Sequence, residues 1–233
     1  MKFIGIDIGS TCAKTVVMNE NKEIVLEFVQ PTGWSSVDTA EEIRKKLVEN
    51  DADPAENVCV ATGYGRVSVP YADKMITEIT CHAMGAVWIF DNKDMTIIDI
   101  GGQDSKVIRL DENGAVANFV MNDKCAAGTG RFLEMMARTM EMNLDQMSEC
   151  GLEFKEDITI SSMCTVFAES EVVSLIAQNK ATDDIVHGLN KAVAVKTAAL
   201  TRRVGGEEKY MMTGGVSKNL SLIHISEPTR RTP

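Results

Sequence analysis

Two short stretches of the chain carry an acid, a glycine turn and a lysine at one spacing. Ile6-Asp7-Ile8-Gly9 is followed by Lys14, and Ile98-Asp99-Ile100-Gly101 by Lys106, so the lysine lies seven residues after the aspartate in both copies. The copies are 92 residues apart. Glycine lets a backbone approach an anion closely, and successive amide donors in such a turn can cradle phosphate. Ser10 and Thr11 add hydroxyl donors, and Lys14 adds a point charge. Asp7 and Asp99 suit hydrated Mg²⁺, which takes one or two carboxylates together with phosphate oxygens and water. Gln103 and Asp104 stand where they can orient an attacking water, as a glutamine does in other nucleotide hydrolases. Thr213-Gly214-Gly215 is a third glycine turn, suited to the flat approach of a nucleoside. One such turn alone reads as a β-hairpin with tolerant glycines. Two in register, with a third in order, read as a nucleotide clamp that is neither a Walker loop nor a dinucleotide fingerprint.

Two cysteines form a second constellation. Cys125 lies in Met121-Asn122-Asp123-Lys124-Cys125-Ala126-Ala127-Gly128-Thr129-Gly130, and Cys164 in Ile160-Ser161-Ser162-Met163-Cys164-Thr165-Val166-Phe167. Each is placed just before a predicted helix, whose N-terminus favours thiolate. Two thiolates make half of a cubane site, which a two-fold dimer would complete. Tetrahedral zinc at the same interface, or plain buried thiols, would use the same positions. Cys12 reads as tolerated in the first turn and Cys59 and Cys150 as packing or surface thiols, and Cys81 reads as structural because adjacent Cys81 and His82 do not share a helix face. Met135, Met136, Met140 and Met142 read as core filling.

The elements that must position these residues follow from period and punctuation. Phe3 to Ile8, Lys14 to Met18 and Lys22 to Val29 read as strands, and Val37 to Asn50 as a helix. Val58 to Ala61 is a strand ending in Thr62-Gly63-Tyr64-Gly65, and Thr77 to Phe90 a largely buried helix. Met95 to Ile100 and Ser105 to Leu110 are strands; Gly130 to Met142, Thr165 to Gln178 and Ile185 to Arg203 are helices; Tyr210 to Met212 is a short strand. Alternating strands and helices make the class α/β. The repeated turn predicts two related lobes facing a shared cleft, over residues 1–94 and 95–219.

Composition narrows the function. Of 233 residues 44% are apolar, enough for a real core, and the formal net charge of -10 argues against a general nucleic-acid binder. No stretch reads as a membrane span or a signal peptide, and six unpaired-looking cysteines fit a reducing cytoplasm.

Ile6-Asp7-Ile8-Gly9-Ser10-Thr11, Asp99-Ile100-Gly101-Gly102-Gln103-Asp104 and Thr213-Gly214-Gly215-Val216 together resemble the nucleotide-binding fold of actin, hexokinase and acetate kinase. With the two cysteine segments, Ala61-Thr62-Gly63-Tyr64-Gly65-Arg66 and Cys81-His82-Ala83-Met84-Gly85-Ala86, residues 3–219 closely resemble the activators of 2-hydroxyacyl-CoA dehydratases. That family includes the ATPase subunits of benzoyl-CoA reductase. The resemblance implies a two-lobed actin/hexokinase-like ATPase that forms a homodimer around one bridging [4Fe-4S] cluster. It implies ATP hydrolysis, with Mg²⁺, driving a low-potential electron from reduced ferredoxin or flavodoxin into a dehydratase partner. Cys125 and Cys164 become the cluster ligands; Gly9, Ser10, Thr11, Cys12, Ala13, Lys14, Gly101, Gly102, Gln103, Gly214 and Gly215 become nucleotide contacts; Asp7, Asp99, Gln103 and Asp104 become catalytic. A benzoyl-CoA-reductase-type ATPase subunit or a sugar-kinase-like phosphotransferase is the alternative on this fold.

The resemblance stops after Asn219. Family members continue with a helix, a strand and a helix that complete the second lobe. Residues 220–233 show no helical periodicity and a polar, proline-punctuated end, and are expected to be a non-native tail on an incomplete second lobe.

Overall fold

The structure, a computed structural model, describes residues 1–162, 164–205 and 209–226. The chain divides into two units, Met1–Ile89 and Phe90–Pro233.

In the first unit β1 (Phe3–Ile8), β2 (Cys12–Met18) and β3 (Ile24–Pro31) form an antiparallel meander. β4 (Val58–Thr62) joins β1 in parallel and the two-residue β5 (Lys74–Met75) joins β4, giving the order β3-β2-β1-β4-β5. Alternation decides which side is buried: Ile4, Ile6 and Ile8 enter the core while Phe3, Gly5 and Asp7 face the other way. α1 (Ser36–Glu49) lays Ala40, Ile43 and Leu47 on that apolar face, and the Ser35 side chain caps it by accepting from Asp38 N–H.

α2 (Glu78–Phe90) departs from expectation. Only Ile79, Ala83 and Ala86 are buried, whereas Met84, Trp88 and Ile89 are at least half exposed. A helix apolar on every side reads as buried from its sequence, but this one sinks a single stripe.

In the second unit β6 (Thr96–Ile100), β7 (Ser105–Leu110) and β8 (Val116–Asn122) form another antiparallel meander, and β9 (Tyr210–Thr213) joins β6 in parallel. The order β8-β7-β6-β9 repeats β3-β2-β1-β4 strand for strand. The repeat holds at single-residue register: Asp7 sits opposite Lys14 and Thr62, and Asp99 opposite Lys106 and Thr213. Among the described residues this unit adds the α-helices α3 (Gly130–Thr139), α4 (Leu144–Cys150), α5 (Thr165–Ala177), α6 (Thr182–Val204) and α7 (Leu220–Ser226). The 23-residue α6 is the core element, with Val186, Leu189 and Val193 packed among Phe132, Met136, Met147 and Val172. Met136 is fully buried and Met140 and Met142 pack against the same core, whereas Met135 is partly exposed.

β8 has no counterpart in the sequence reading, and the start of the expected tail is helical. Asn219 Oδ1 accepts from Leu222 N–H, Ser148 Oγ accepts from Leu220 N–H, and Leu222 is fully buried. Capping and tertiary burial make a short helix where periodicity alone cannot. Residues 227–233 of that tail, and Met163 beside Cys164, lie outside the described residues. No helix among the described residues is long and apolar enough to cross a membrane.

Candidate functional site

Each glycine turn closes the same way. Gly9 N–H donates to the Cys12 carbonyl at 3.2 Å, and Gly101 N–H to the Asp104 carbonyl at 2.9 Å. The first turn is braced from behind by Thr32, which is buried: its Oγ1 donates to the Gly9 carbonyl at 2.7 Å and its N–H to the Thr11 carbonyl at 3.1 Å. Ser10, Thr11 and Ala13 therefore lie on a backbone whose shape is fixed by neighbours rather than by their own side chains.

The parallel strand in each unit delivers a second glycine to the same aspartate. Gly63 and Gly214 both have φ in the left-handed region, at 83° and 86°. A side chain at Gly63 would collide with the Asp7 carboxylate and the Ile8 carbonyl; one at Gly214 would collide with the Asp99 carboxylate and the Ile100 carbonyl. Thr213 Oγ1 also donates to Asp99 Oδ1 at 3.3 Å. Thr62-Gly63 is thus the first-unit equivalent of Thr213-Gly214, which the sequence reading missed although the Thr-Gly pair after a strand was its visible signal. The absence of a side chain at Gly215 is not forced in this way, since nothing stands within 4 Å of a Cβ there.

The two turns differ in charge. Lys14 Nζ meets Asp7 Oδ2 at 2.9 Å with both side chains partly exposed, a neutral pair. Lys106 Nζ lies 2.8 Å from Asp104 Oδ1 and 3.5 Å from Asp99 Oδ2, and all three side chains are at most 10% exposed. Position 104 is the counterpart of Cys12, so the second trio sums to −1 where the first pair sums to zero. A buried carboxylate pair with one ammonium is a donor set suited to a further cation such as Mg²⁺. Gln103 is exposed at the tip, free of the burial that holds Asp104.

Four of the six cysteines fall into two classes, while Cys12 and Cys81 are partly exposed. Burial, with Asp73 nearby, pushes the Cys59 thiol up to about 11. Burial and the hydrogen bond that Cys150 Sγ donates to Asp183 Oδ1 push that thiol up to about 12. Both stay protonated at neutral pH. Cys125 and Cys164 are the exposed ones. Cys164 is the N-cap of α5, with Glu171 of that helix accepting from Ser161 N–H, Ser161 Oγ and Ser162 N–H just ahead of it. Cys125 does not stand at a helix start as expected: Thr129 is the N-cap of α3, and Cys125 sits four residues earlier in a loop. Asn122, given no role in the sequence reading, ties that loop down by donating to the Cys125 and Ala127 carbonyls at 3.0 and 3.1 Å. Thr139 Oγ1 donates to Glu169 Oε1 at 3.2 Å and so joins α3 to α5. Among the described residues no three His, Cys, Asp or Glu side chains converge as a metal site.

The start of α3 also touches the second turn. Gly130 N–H donates to the Gly101 carbonyl and Arg131 N–H to the Gly102 carbonyl, each at 2.8 Å.

Comparison with known proteins places this geometry. The family model described as the BadF/BadG/BcrA/BcrD ATPase family matches residues 4–231. The chain is 45% identical over 219 residues to the (R)-2-hydroxyglutaryl-CoA dehydratase activating ATPase of Acidaminococcus fermentans, covering 93% of this chain and 83% of that one. It is 44% identical over 224 residues to the activator of lactoyl-CoA dehydratase of Anaerotignum propionicum, covering 96% and 86%. The solved activator of the 2-hydroxyisocaproyl-CoA dehydratase from Clostridium difficile with bound ADPNP superposes at a TM-score of 0.87 with 39% identity, over 97% of this chain and 84% of that one. The fold is the actin/hexokinase-like ATPase fold.

Proposed function

Because the chain belongs to the BadF/BadG/BcrA/BcrD ATPase family, we propose that it is an ATP-driven activator of a 2-hydroxyacyl-CoA dehydratase. In this reading a [4Fe-4S] cluster bridges two copies of the chain through Cys125 and Cys164, and reduced ferredoxin or flavodoxin is the electron source. When bound, such a cluster supplies a one-electron carrier whose potential is set by hydrogen bonds, charge and solvent exposure. The observation that carries the reading is the division among the six thiols: two are exposed, and the two with raised pKa are locked as neutral thiols. Two exposed donors per chain make half of a four-cysteine set. The apolar flank beside Cys164, with Val166, Phe167 and Val173 each more than half exposed, supports a second copy as the source of the other half.

The chain's own residues have distinct tasks. The turns at 9–14, 101–104 and 214–215 offer main-chain donors and glycine clearance to the nucleotide. Asp99 and Asp104, paired with Lys106, would hold Mg²⁺, Asp7, paired with Lys14, would orient that lysine toward phosphate, and the exposed Gln103 would orient water. Relatives at 44–45% identity are named for different acyl-CoA dehydratases.

The test is anaerobic purification, reconstitution with iron and sulfide, and measurement of iron per chain alongside mass in solution. The expected result is about two irons per chain in a dimer, from one four-iron cluster shared by two copies. Cys125→Ser and Cys164→Ser should each abolish that iron. An iron-free dimer that hydrolyses ATP would overturn the electron-transfer reading while leaving the ATPase.

A further inference from the structure

Every helix begins with amides that have no partner within the helix. In α3 those of Gly130 and Arg131 donate to the carbonyls of Gly101 and Gly102, at 2.8 Å each. A planar trans peptide points its N–H opposite to its C=O, and no described peptide bond is cis. The peptides joining 101 to 102 and 102 to 103 therefore turn their N–H groups away from α3. A phosphate oxygen that accepts from the Gly102 or Gln103 N–H polarises the same peptide whose oxygen accepts from α3. Hydrogen bonds in series strengthen one another.

On the other side of this junction the chain to Cys125 is short and tied. Thr129 Oγ1 donates to the Ala126 carbonyl at 2.6 Å, and Asn122 holds the Cys125 and Ala127 carbonyls. Gly128, with φ 80°, lies against the aliphatic chain of Lys196. The junction leaves little room: a Cβ at Gly130 would stand 3.2 Å from the Gly101 carbonyl oxygen and 3.3 Å from both Gly102 Cα and Val216 Cγ2.

We infer that this pair of main-chain hydrogen bonds couples nucleotide at the Gly101–Asp104 turn to the placement of the Cys125 loop, with Gly130 as the positioning residue. The inference rests on the nucleotide reading above and names its route to one cysteine. It needs no change in side-chain conformation, because the atoms that carry it are peptide groups.

Hydrogen–deuterium exchange of the full chain, with and without Mg²⁺ and a non-hydrolysable ATP analogue, tests it. Peptides covering 99–106 and 123–133 should both exchange about two- to tenfold more slowly with nucleotide, the effect of roughly one backbone hydrogen bond. In Gly130→Ala the response at 99–106 should persist and that at 123–133 should disappear. A response at 99–106 without one at 123–133 in the unaltered protein overturns the coupling and leaves nucleotide binding intact. Equal responses at 123–133 in the unaltered protein and in Gly130→Ala overturn it as well. No response in either segment, with no nucleotide bound, overturns the nucleotide reading itself.

Discussion

Lys14 and Lys106 occupy equivalent positions and should behave differently when removed. Lys106→Met strands two buried carboxylates and should destabilise the protein by about 3–5 kcal/mol. Lys14→Met breaks a half-exposed pair and should cost under about 1 kcal/mol. Urea unfolding of the two variants checks the contrast. The thiols give a second one: an alkylating reagent at about pH 8 should modify Cys125 and Cys164 in the folded, metal-free protein, with Cys59 and Cys150 reacting only on unfolding. Peptide mapping of the label decides it. At this scale the aspartates, turn glycines and lysines stood out in the sequence because their spacing repeats. Thr32 and Asn122 did not, since their work is to hold carbonyls that only the fold brings within reach.

Among the elements, the segment from Gly151 to Ser162 has no regular structure of its own and is fastened to α6 and the residue Lys180 before it, with its Ser161–Ser162 end held by Glu171 of α5. Asp184 Oδ1 accepts from the Lys155 and Glu156 N–H groups, Lys191 pairs with Asp157, Lys180 pairs with Glu156, and Phe154 stacks on His187 with ring centroids 3.4 Å apart. Burial lowers the His187 pKa, against the pull of the Gly151 backbone, Asp157 and Asp184, with Lys191 acting in the same direction as burial. A histidine that resists protonation when folded takes up its proton more readily when unfolded, so stability should fall as pH drops through about 6.5. The Asp157 and Asp184 carboxyls are held low, Asp157 by Lys191 and Asp184 by the Glu156 and Lys155 amides; their contribution should be lost only below about pH 4. His187→Gln should therefore flatten the unfolding midpoint between about pH 7 and 5. A slope unchanged by that substitution would assign the effect elsewhere. Legibility was uneven here. β1, β2, β3, β6 and β7 and the long helices announced themselves by period, whereas β8 and α7 did not. β8 is half exposed on both faces, and α7 depends on a cap and one buried leucine.

For the whole molecule, the duplication was the most informative feature of the sequence, and it survives as two meanders of one topology. It aligns Asp104 with Cys12 but does not reveal what the extra acid does, because that difference acquires meaning only when Asp104 is found buried beside Lys106. The assembly prediction is made on a side chain that the single chain does not need. Phe167 is 66% exposed, so Phe167→Asp should leave folding unaffected and yield monomers with less iron, as read by mass in solution and iron analysis. The junction between the Gly102 turn and α3 has one more consequence. At Arg131 a signal borne by a peptide group is invisible to alanine scanning, because that residue can become almost any other and still present the same N–H. The chain can therefore drift in sequence at position 131 without losing that bond, and only proline, or an ester in place of the amide, would cut the strand that Arg131 contributes.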